Sequence, residues 1–190
     1  SGSSFIDIEL YPFSAEGGTP VAHYSLELTG DEGWVTQIHL PSDDNAKWEF
    51  TYKNVFGCLC IESVTSPAGS QEHLTYDNQG HAHPAPGSQP IPRVFKHVVF
   101  PFFDQPPIEH HYTYSSENFL GYGAGSFEWN DDGYDNLYKV LNDYTYHSTQ
   151  TLIVNESPVL TQERTFNRYH LLIQEVTTQN GHVHRVISEY

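Results

Sequence analysis

The sequence has no methionine, two cysteines and only eight lysine and arginine residues among its 190 residues. Against these eight basic residues stand 24 aspartate and glutamate residues, so the formal net charge at pH 7 is −16. Duplex nucleic acids and anionic membrane surfaces are bound through clustered Lys and Arg side chains. The composition therefore predicts that neither nucleic acid nor a membrane surface is a partner.

The missing methionine indicates that residue 1 is not a translation start. The opening residues Ser1–Gly2–Ser3–Ser4 are typical of a linker or an expression remnant. We therefore expect the chain to be a piece of a longer polypeptide.

Long apolar runs and helical apolar stripes are also lacking. The longest apolar stretch, Val98–Phe103, is too short to span a bilayer and contains Pro101. It predicts no membrane insertion. The nearest candidate for a helix is Asp135–Asn142, which predicts one or two turns. Cys58 and Cys60 would lie on the same face of a strand with Cα atoms about 6.6–7 Å apart, which disfavours a disulfide.

Alternation of apolar and polar residues dominates the rest of the sequence. Aromatic residues make up 14% of the chain, and they favour half-buried strands. The alternating segments are separated by turn-forming residues, so the sequence predicts an all-β fold of consecutive antiparallel hairpins. Two hairpins are expected to turn at Pro67–Ala68–Gly69 and at Asn180–Gly181. Alternation is clearest at residues 5–10, 23–28, 35–40 and 48–52.

The expected organisation has two parts. Residues 1–33 would hold N-terminal strands, and residues 34–190 a hairpin segment that includes a Pro-rich insertion at 81–107. Five prolines in this insertion disfavour regular central strands over most of it. They are Pro84, Pro86, Pro90, Pro92 and Pro101.

An internal repeat supports the hairpin segment. In residues 57–81 and 166–190, an aromatic–Asp/Asn pair marks a turn, a second turn contains Gly, and a returning strand ends in Tyr. A partial third copy covers residues 109–121. Stacked hairpins of this kind bury apolar surface against their neighbours, which a solitary hairpin cannot do.

These residues resemble the tyrosine–aspartate (YD) repeats of the bacterial Rhs family. The match is best at Leu74–Gly80, which contains Tyr76, Asp77 and Gly80. Phe166–Asn167 resembles a degenerate copy, and Tyr114–Ser115 a weaker one. The wider series, which includes Tyr112 and the closing Tyr190, also resembles the insecticidal toxin-complex proteins and covers most of residues 34–190.

The resemblance implies a shell of hairpins that encloses a toxic C-terminal polypeptide. The chain would then be a non-catalytic structural segment, secreted or delivered to a cell surface as part of a larger bacterial protein. Its partners would be the rest of the parent polypeptide, the enclosed effector and other toxin-complex subunits. Within each repeat, the Tyr would supply a packing body and the Asp would cap the turn. No cofactor is expected.

Metal and nucleotide sites are weakly indicated. His81 with His83, and His182 with His184, have the alternate spacing that can hold Zn²⁺ or Cu²⁺, but no further ligand lies at a recognisable distance. The acidic segment 130–136 around Asp131 has the oxygen-rich composition that Ca²⁺ favours without the spacing of an EF-hand. The glycine-rich segment 121–125 lacks a phosphate-binding lysine. We therefore predict no tightly held metal.

Enzyme motifs are absent from the sequence: no Gly-x-Ser-x-Gly elbow occurs, and no activated cysteine can be identified. The alternative function is a carbohydrate-binding or cell-surface-binding β module, because exposed aromatic rings can stack on sugars. The candidates are Trp34, Trp48 and, above all, Trp129, because Trp34 and Trp48 begin alternating strands and are expected to pack within hairpins.

Overall fold

The computed structural model describes residues 4–11, 18–29, 33–42, 44–102, 105–125, 129–130, 132–134 and 136–190. These residues form twelve β-strands and one 3₁₀ helix. The strands are β1 Ser4–Leu10, β2 Ala22–Thr29, β3 Trp34–His39, β4 Lys47–Val55, β5 Cys58–Thr65, β6 Gln71–Tyr76, β7 Val94–Phe100, β8 Ile108–Tyr114, β9 Thr145–Val154, β10 Ser157–Asn167, β11 Leu172–Gln179 and β12 His182–Ile187; the helix is Asn136–Lys139.

The strands form one open antiparallel sheet in which spatial order follows chain order from β1 to β12. The predicted all-β architecture of consecutive hairpins is confirmed. The hairpin of β5 and β6 turns at Pro67–Gly69, where the Gly69 N–H donates to the Ser66 carbonyl at 2.9 Å. The hairpin of β11 and β12 turns at Asn180–Gly181. The predicted helical turns are also present, as the single 3₁₀ helix.

The chain divides into two compact units. The first comprises Ser1–Lys53, Ile61–His73 and Val99–Pro106. One face of its sheet is apolar, because cross-strand pairing aligns apolar residues of four strands in a row. Ile6 pairs with Leu26, Leu26 with Ile38, and Ile38 with Trp48. Ile6 and Trp48 remain 48% and 36% exposed, so this face is incompletely covered.

The second unit comprises Asn54–Cys60, Leu74–Val98 and Pro107–Tyr190. Its sheet contains β8 to β12, and here the cross-strand rows are largely polar. Tyr112 pairs with Gln150, Gln150 with Gln162, and Gln162 with Thr177. Alternation therefore produces strands in this unit without producing an apolar face.

The buried side chains of the described residues all lie in the second unit. They are Val98, Ala124, Val140, Asn118 and Asn136, and none of the large side chains is fully buried. Four of the five belong to the long connection between β8 and β9. This connection packs against the one between β6 and β7, where the Asn118 side-chain amide donates to the Ala82 carbonyl at 2.8 Å. The small core therefore lies at the two long connections.

Three tyrosines near the ends of returning strands tie neighbouring strands together. The hydroxyls of Tyr52, Tyr114 and Tyr190 donate to the carbonyls of Val35, Val94 and Leu172 at 2.5, 2.8 and 3.1 Å. Each accepting carbonyl belongs to the opening of the preceding strand. Tyr114 and Tyr190, which lie in the repeats, thus each add a hydrogen bond across a hairpin, which the sequence scheme did not predict.

The Pro-rich segment 81–107 differs from the expected insertion. Strand β7 occupies Val94–Phe100 within it, because this stretch contains no proline and has Pro92 and Pro101 on either side. The part between β6 and β7 is held instead by an isolated bridge of His81 with Ile91. Proline therefore limits the length of β7 without removing it from the sheet.

Replacing Tyr52 with Phe tests the tyrosine tie. We expect Tyr52→Phe to lower the free energy of unfolding by about 1 kcal/mol, because it removes one hydrogen bond and leaves a half-buried carbonyl without that partner. Urea denaturation followed by circular dichroism measures the change. Tyr24→Phe is the matched control in the same unit, since no hydrogen bond to the Tyr24 hydroxyl is found among the described residues; an equal loss in both variants would contradict the role of the tie.

Candidate functional site at the Asp77 turn

The best-defined polar site of the described chain is the turn that follows β6. One oxygen of the Asp77 side chain, Oδ1, accepts the backbone N–H groups of Gln79 and Gly80 at 2.9 and 2.6 Å. The backbone N–H of Asp77 donates to the Arg93 carbonyl at 3.1 Å, which closes the loop between β6 and β7. Aspartate forms such turns because its short side chain reaches the backbone two residues on.

The same turn recurs twice in the second unit. Asn118 Oδ1 accepts the N–H of Leu120 at 2.9 Å, and Asn167 Oδ1 accepts the N–H of Tyr169 at 2.9 Å. Three residues after each anchor, the backbone has a positive φ: +65° at Gly80, +85° at Gly121 and +64° at His170. The two glycines are buried and His170 is exposed. A side chain is therefore tolerated only at the third turn.

These turns place the predicted repeat residues. Asp77, Gly80 and Asn167 form turns as the repeat scheme describes, and Phe166 directly precedes the Asn167 turn. Tyr114–Ser115 forms no such turn; the third anchor is Asn118, four residues further along. The spacing Asn118-x-x-Gly121 repeats Asp77-x-x-Gly80 and is the sequence signal by which this anchor could have been found.

Arg93 is the basic partner of the Asp77 turn. Its Nε donates to the second Asp77 oxygen, Oδ2, and its guanidinium carbon lies 5.2 Å from the centre of the Tyr114 ring. The side chains of Arg93 and Asp77 are only 15% and 20% exposed. The sequence analysis did not assign Arg93 to this site. Arg93 lies 16 positions after Asp77, so neither its ion pair with Asp77 nor its contact with the Tyr114 ring could be predicted from the sequence.

Opposing effects act on the pKa of Asp77. Burial alone would raise it, but the N–H groups of Gly80 and Gln79 and the Arg93 guanidinium stabilise the carboxylate and hold the pKa below its ordinary value of 3.8. The carboxylate is therefore charged throughout the neutral range, and its two oxygens have separate roles: one closes the turn and the other binds Arg93.

A ladder of aromatic rings connects this turn to the one at Asn167. His81 packs edge-on against Tyr114 and Phe119, with ring centres 4.9 and 5.2 Å apart. His170 then contacts both Phe119 and Tyr146, and Tyr146 stacks on Phe166 at 5.2 Å. The tertiary structure thus connects Tyr114 and His81 to Phe166. The connecting rings, Phe119, His170 and Tyr146, were not among the residues that the repeat scheme predicted.

Burial within the ladder shifts the pKa values of His81, Tyr114 and Tyr146. It lowers the pKa of His81, with Arg93 lowering it further and Asp77 opposing both, so that the imidazole is neutral near pH 7. Its Nδ1 is buried and has no hydrogen-bond partner among the described residues. Burial also raises the pKa of Tyr114 and, with a smaller effect of Tyr144, raises that of Tyr146 to about 12. His81, Tyr114 and Tyr146 are therefore uncharged at neutral pH.

The remaining predicted site residues form no common site, although two of them, His83 and Trp129, are in contact. His83 accepts the Ala85 N–H at its Nδ1 at 3.0 Å and packs edge-on against Trp129, with ring centres 4.7 Å apart. His182 and His184 lie exposed on β12. Tyr76 on β6 and Tyr112 on β8 are half-buried. Tyr190, at the end of the chain, is 77% exposed.

No group of three or more His, Cys, Asp or Glu among the described residues is placed to hold a metal ion. Asp131 and Asp135, from the predicted acidic calcium segment, lie outside the described residues. Neither cysteine forms a disulfide. The described part of the chain also contains no helix long and apolar enough to cross a membrane.

A cleft of about 380 Å³ opens beside the Asp77 turn. Arg93 and Tyr114 line it together with Gln79, Ser116 and Tyr122. A second hollow, of about 410 Å³, lies beside the Asn167 turn, where Arg168 is placed 4.7 Å from the centre of the Tyr169 ring. Each of these two turns therefore has an arginine, a tyrosine ring and an open space next to it.

Comparisons with protein-family models, curated proteins and solved structures find no significant match to this chain. The resemblance to YD-repeat proteins therefore rests on the residues and turns described above, and the function drawn from it is a proposal.

Substitutions at Asp77 separate its two roles. At pH 7 we expect Asp77→Ala to cost about 3 kcal/mol of unfolding free energy, because both the turn and the ion pair are lost. Asp77→Asn should cost about half as much, since an Asn oxygen closes the equivalent turns at Asn118 and Asn167. Chemical denaturation gives both values. Asp143→Asn is the control: its carboxylate is 99% exposed and lies 3.6 Å from Arg168 Nε, so loss of this solvent-screened ion pair should cost no more than about 0.5 kcal/mol.

The pH dependence of the same variants provides a further check. Because folding lowers the pKa of Asp77, its stabilising effect is complete above the unfolded value near 3.9 and is lost as pH falls through the folded value. The difference in stability between the wild type and Asp77→Asn should therefore be constant above about pH 5 and shrink below about pH 4. A difference that does not change with pH would contradict the ion pair.

Gly80 is predicted to be intolerant of a side chain. A Cβ there would lie 2.7 Å from the Ile91 carbonyl oxygen and 2.9 Å from a Phe56 ring carbon, at a φ of +65°. Gly87 has a φ of +78° and no atom within 4 Å of such a Cβ. We expect Gly87→Ala to cost about 1 kcal/mol from backbone strain alone, and Gly80→Ala about 3 kcal/mol or more. Similar melting temperatures for the two variants would be inconsistent with this crowding.

Proposed function

We propose that this chain is a non-catalytic structural segment of an Rhs or toxin-complex type shell that encloses a polypeptide cargo. The observation that carries the proposal is the twelve-stranded sheet, in which every strand pairs only with its neighbours in the chain. A sheet of this order is built from hairpins in succession, as a wall of hairpins requires.

Exposed surface supports the same proposal. Within the first unit, the apolar residues of β1 are open to solvent: Ile6 and Ile8 are 48% and 52% exposed. Such surface is suited to contact with further polypeptide.

The turns provide independent support. A wall of hairpins requires a device that reverses the chain at the same place in every repeat. The side-chain anchors Asp77, Asn118 and Asn167 and the closing tyrosines Tyr114 and Tyr190 supply one within the second unit. Asp77 and Asn167, which carry the resemblance to YD repeats, are among these anchors. Their physical role is to close a turn through a side-chain oxygen.

Charge indicates the kind of cargo. With a net charge of −16, the wall produces a negative field, and low-dielectric surfaces concentrate such a field in an enclosed space. The proposed shell therefore suits a basic cargo and would repel an acidic one.

Protection of the cargo from protease tests the proposal. The parent polypeptide is compared with versions in which residues 34–190 are deleted or Gly80 is replaced by Ala, with Gly87→Ala as the matched control. We expect the cargo to become protease-sensitive in the deletion and in Gly80→Ala, because the wall opens, and to stay protected in Gly87→Ala. Western blotting of the cargo after limited proteolysis provides the measurement.

A glycan array with the isolated chain separates this function from carbohydrate binding through the tryptophans. A shell segment should show no saturable binding that Trp129→Ala abolishes. If the cargo stays protected without residues 34–190, and a Trp129-dependent glycan signal is present, the shell proposal fails.

A further inference from the structure

Arg93 presents unused hydrogen-bond donors to the cleft beside the Asp77 turn. Its Nε is bound to Asp77, whereas neither Nη makes a hydrogen bond to any described residue. The side chain of Arg93 remains 15% exposed. Since Arg93 lines the cleft of about 380 Å³, these two nitrogens are available to a ligand bound there.

The guanidinium is held in a fixed orientation. Asp77 binds it on one edge, the Tyr114 ring lies 5.2 Å from its central carbon, and only 15% of the side chain is exposed. The free edge carries two N–H groups in the parallel arrangement that matches the two oxygens of a carboxylate. Because the side chain is already ordered, binding would cost little further conformational entropy.

The other side chains of the cleft suit hydroxyl groups. Tyr122 is 43% exposed and its hydroxyl makes no hydrogen bond to a described residue. The Ser116 hydroxyl donates to Glu117 at 2.9 Å, which leaves its oxygen lone pairs available to accept. The amide of Gln79 also lines the cleft. These three groups line the same cleft as the Arg93 guanidinium, and the Tyr122 ring provides a surface on which a sugar ring can stack.

We propose that this cleft binds a hydroxylated carboxylate of monosaccharide size, namely a uronic acid, with its carboxylate on the Arg93 Nη atoms and its hydroxyls on Ser116, Tyr122 and Gln79. The volume lies at the small end of the range of ligand pockets. The three tryptophans do not line this cleft, so the site is distinct from the one that the aromatic content of the sequence suggested. The inference does not depend on the shell proposal.

Calorimetric titration of the complete chain with galacturonate, galactose and acetate tests the site. We expect saturable binding of galacturonate that is about tenfold tighter than that of either other ligand, because only galacturonate engages both the cation and the hydroxyl partners. Arg93→Lys and Tyr122→Ala should each weaken binding about fivefold or more, since Lys lacks the planar fork and Ala lacks the ring and hydroxyl.

Two controls keep the result interpretable. Tyr134→Ala removes a tyrosine that is 78% exposed and does not line the cleft, so it should leave binding unchanged. The Tyr122 side chain is exposed and makes no hydrogen bond to a described residue, so Tyr122→Ala tests the site even if Arg93→Lys fails to fold. Melting temperatures show whether each variant is folded. Absence of galacturonate binding, equal binding of galactose, or binding unaffected by Tyr122→Ala would overturn the proposal.

Discussion

The hydrogen bonds that backbone N–H groups donate to an Asp or Asn side-chain oxygen are the constraint on which the second unit depends. At Asp77, Asn118 and Asn167, they determine where the chain turns after a strand or begins a long connection. Backbone groups in such turns have no partner in the sheet, so without the side-chain oxygen they would have to be satisfied by water. A short polar side chain thus decides the geometry of the loops that form the small core.

The order of the strands gives these turns their importance. Each strand pairs only with the strands that directly precede and follow it in the chain. Stability is then close to a sum of hairpin and nearest-neighbour terms, as in repeat proteins. The tyrosine hydroxyls of Tyr52, Tyr114 and Tyr190 add such nearest-neighbour terms, because each joins the end of one strand to the opening of the strand before it.

Arg93 connects the structural and the binding properties of the Asp77 turn. One edge of its guanidinium neutralises the carboxylate that closes the turn, and the other edge faces an open cleft. The same burial that makes the ion pair effective keeps the side chain in one orientation. The orientation in which Arg93 stabilises the turn is therefore also the one in which it can bind a carboxylate in the cleft.

The sequence by itself determined most of the strands, their hairpin order and the Asp77 turn. Alternation, turn residues and the Asp-x-x-Gly spacing are local properties, and the tertiary contacts are compatible with the local structure that they favour. It also indicated the hairpin turns at Gly69 and Gly181. Only the tertiary structure decided that β7 forms within the Pro-rich segment and that Asn118 is the third anchor. The contact of Arg93 with Asp77 and Tyr114, and the ring ladder through His81, likewise join residues far apart in the chain. Such contacts depend on how two long connections pack, and no local pattern encodes that packing.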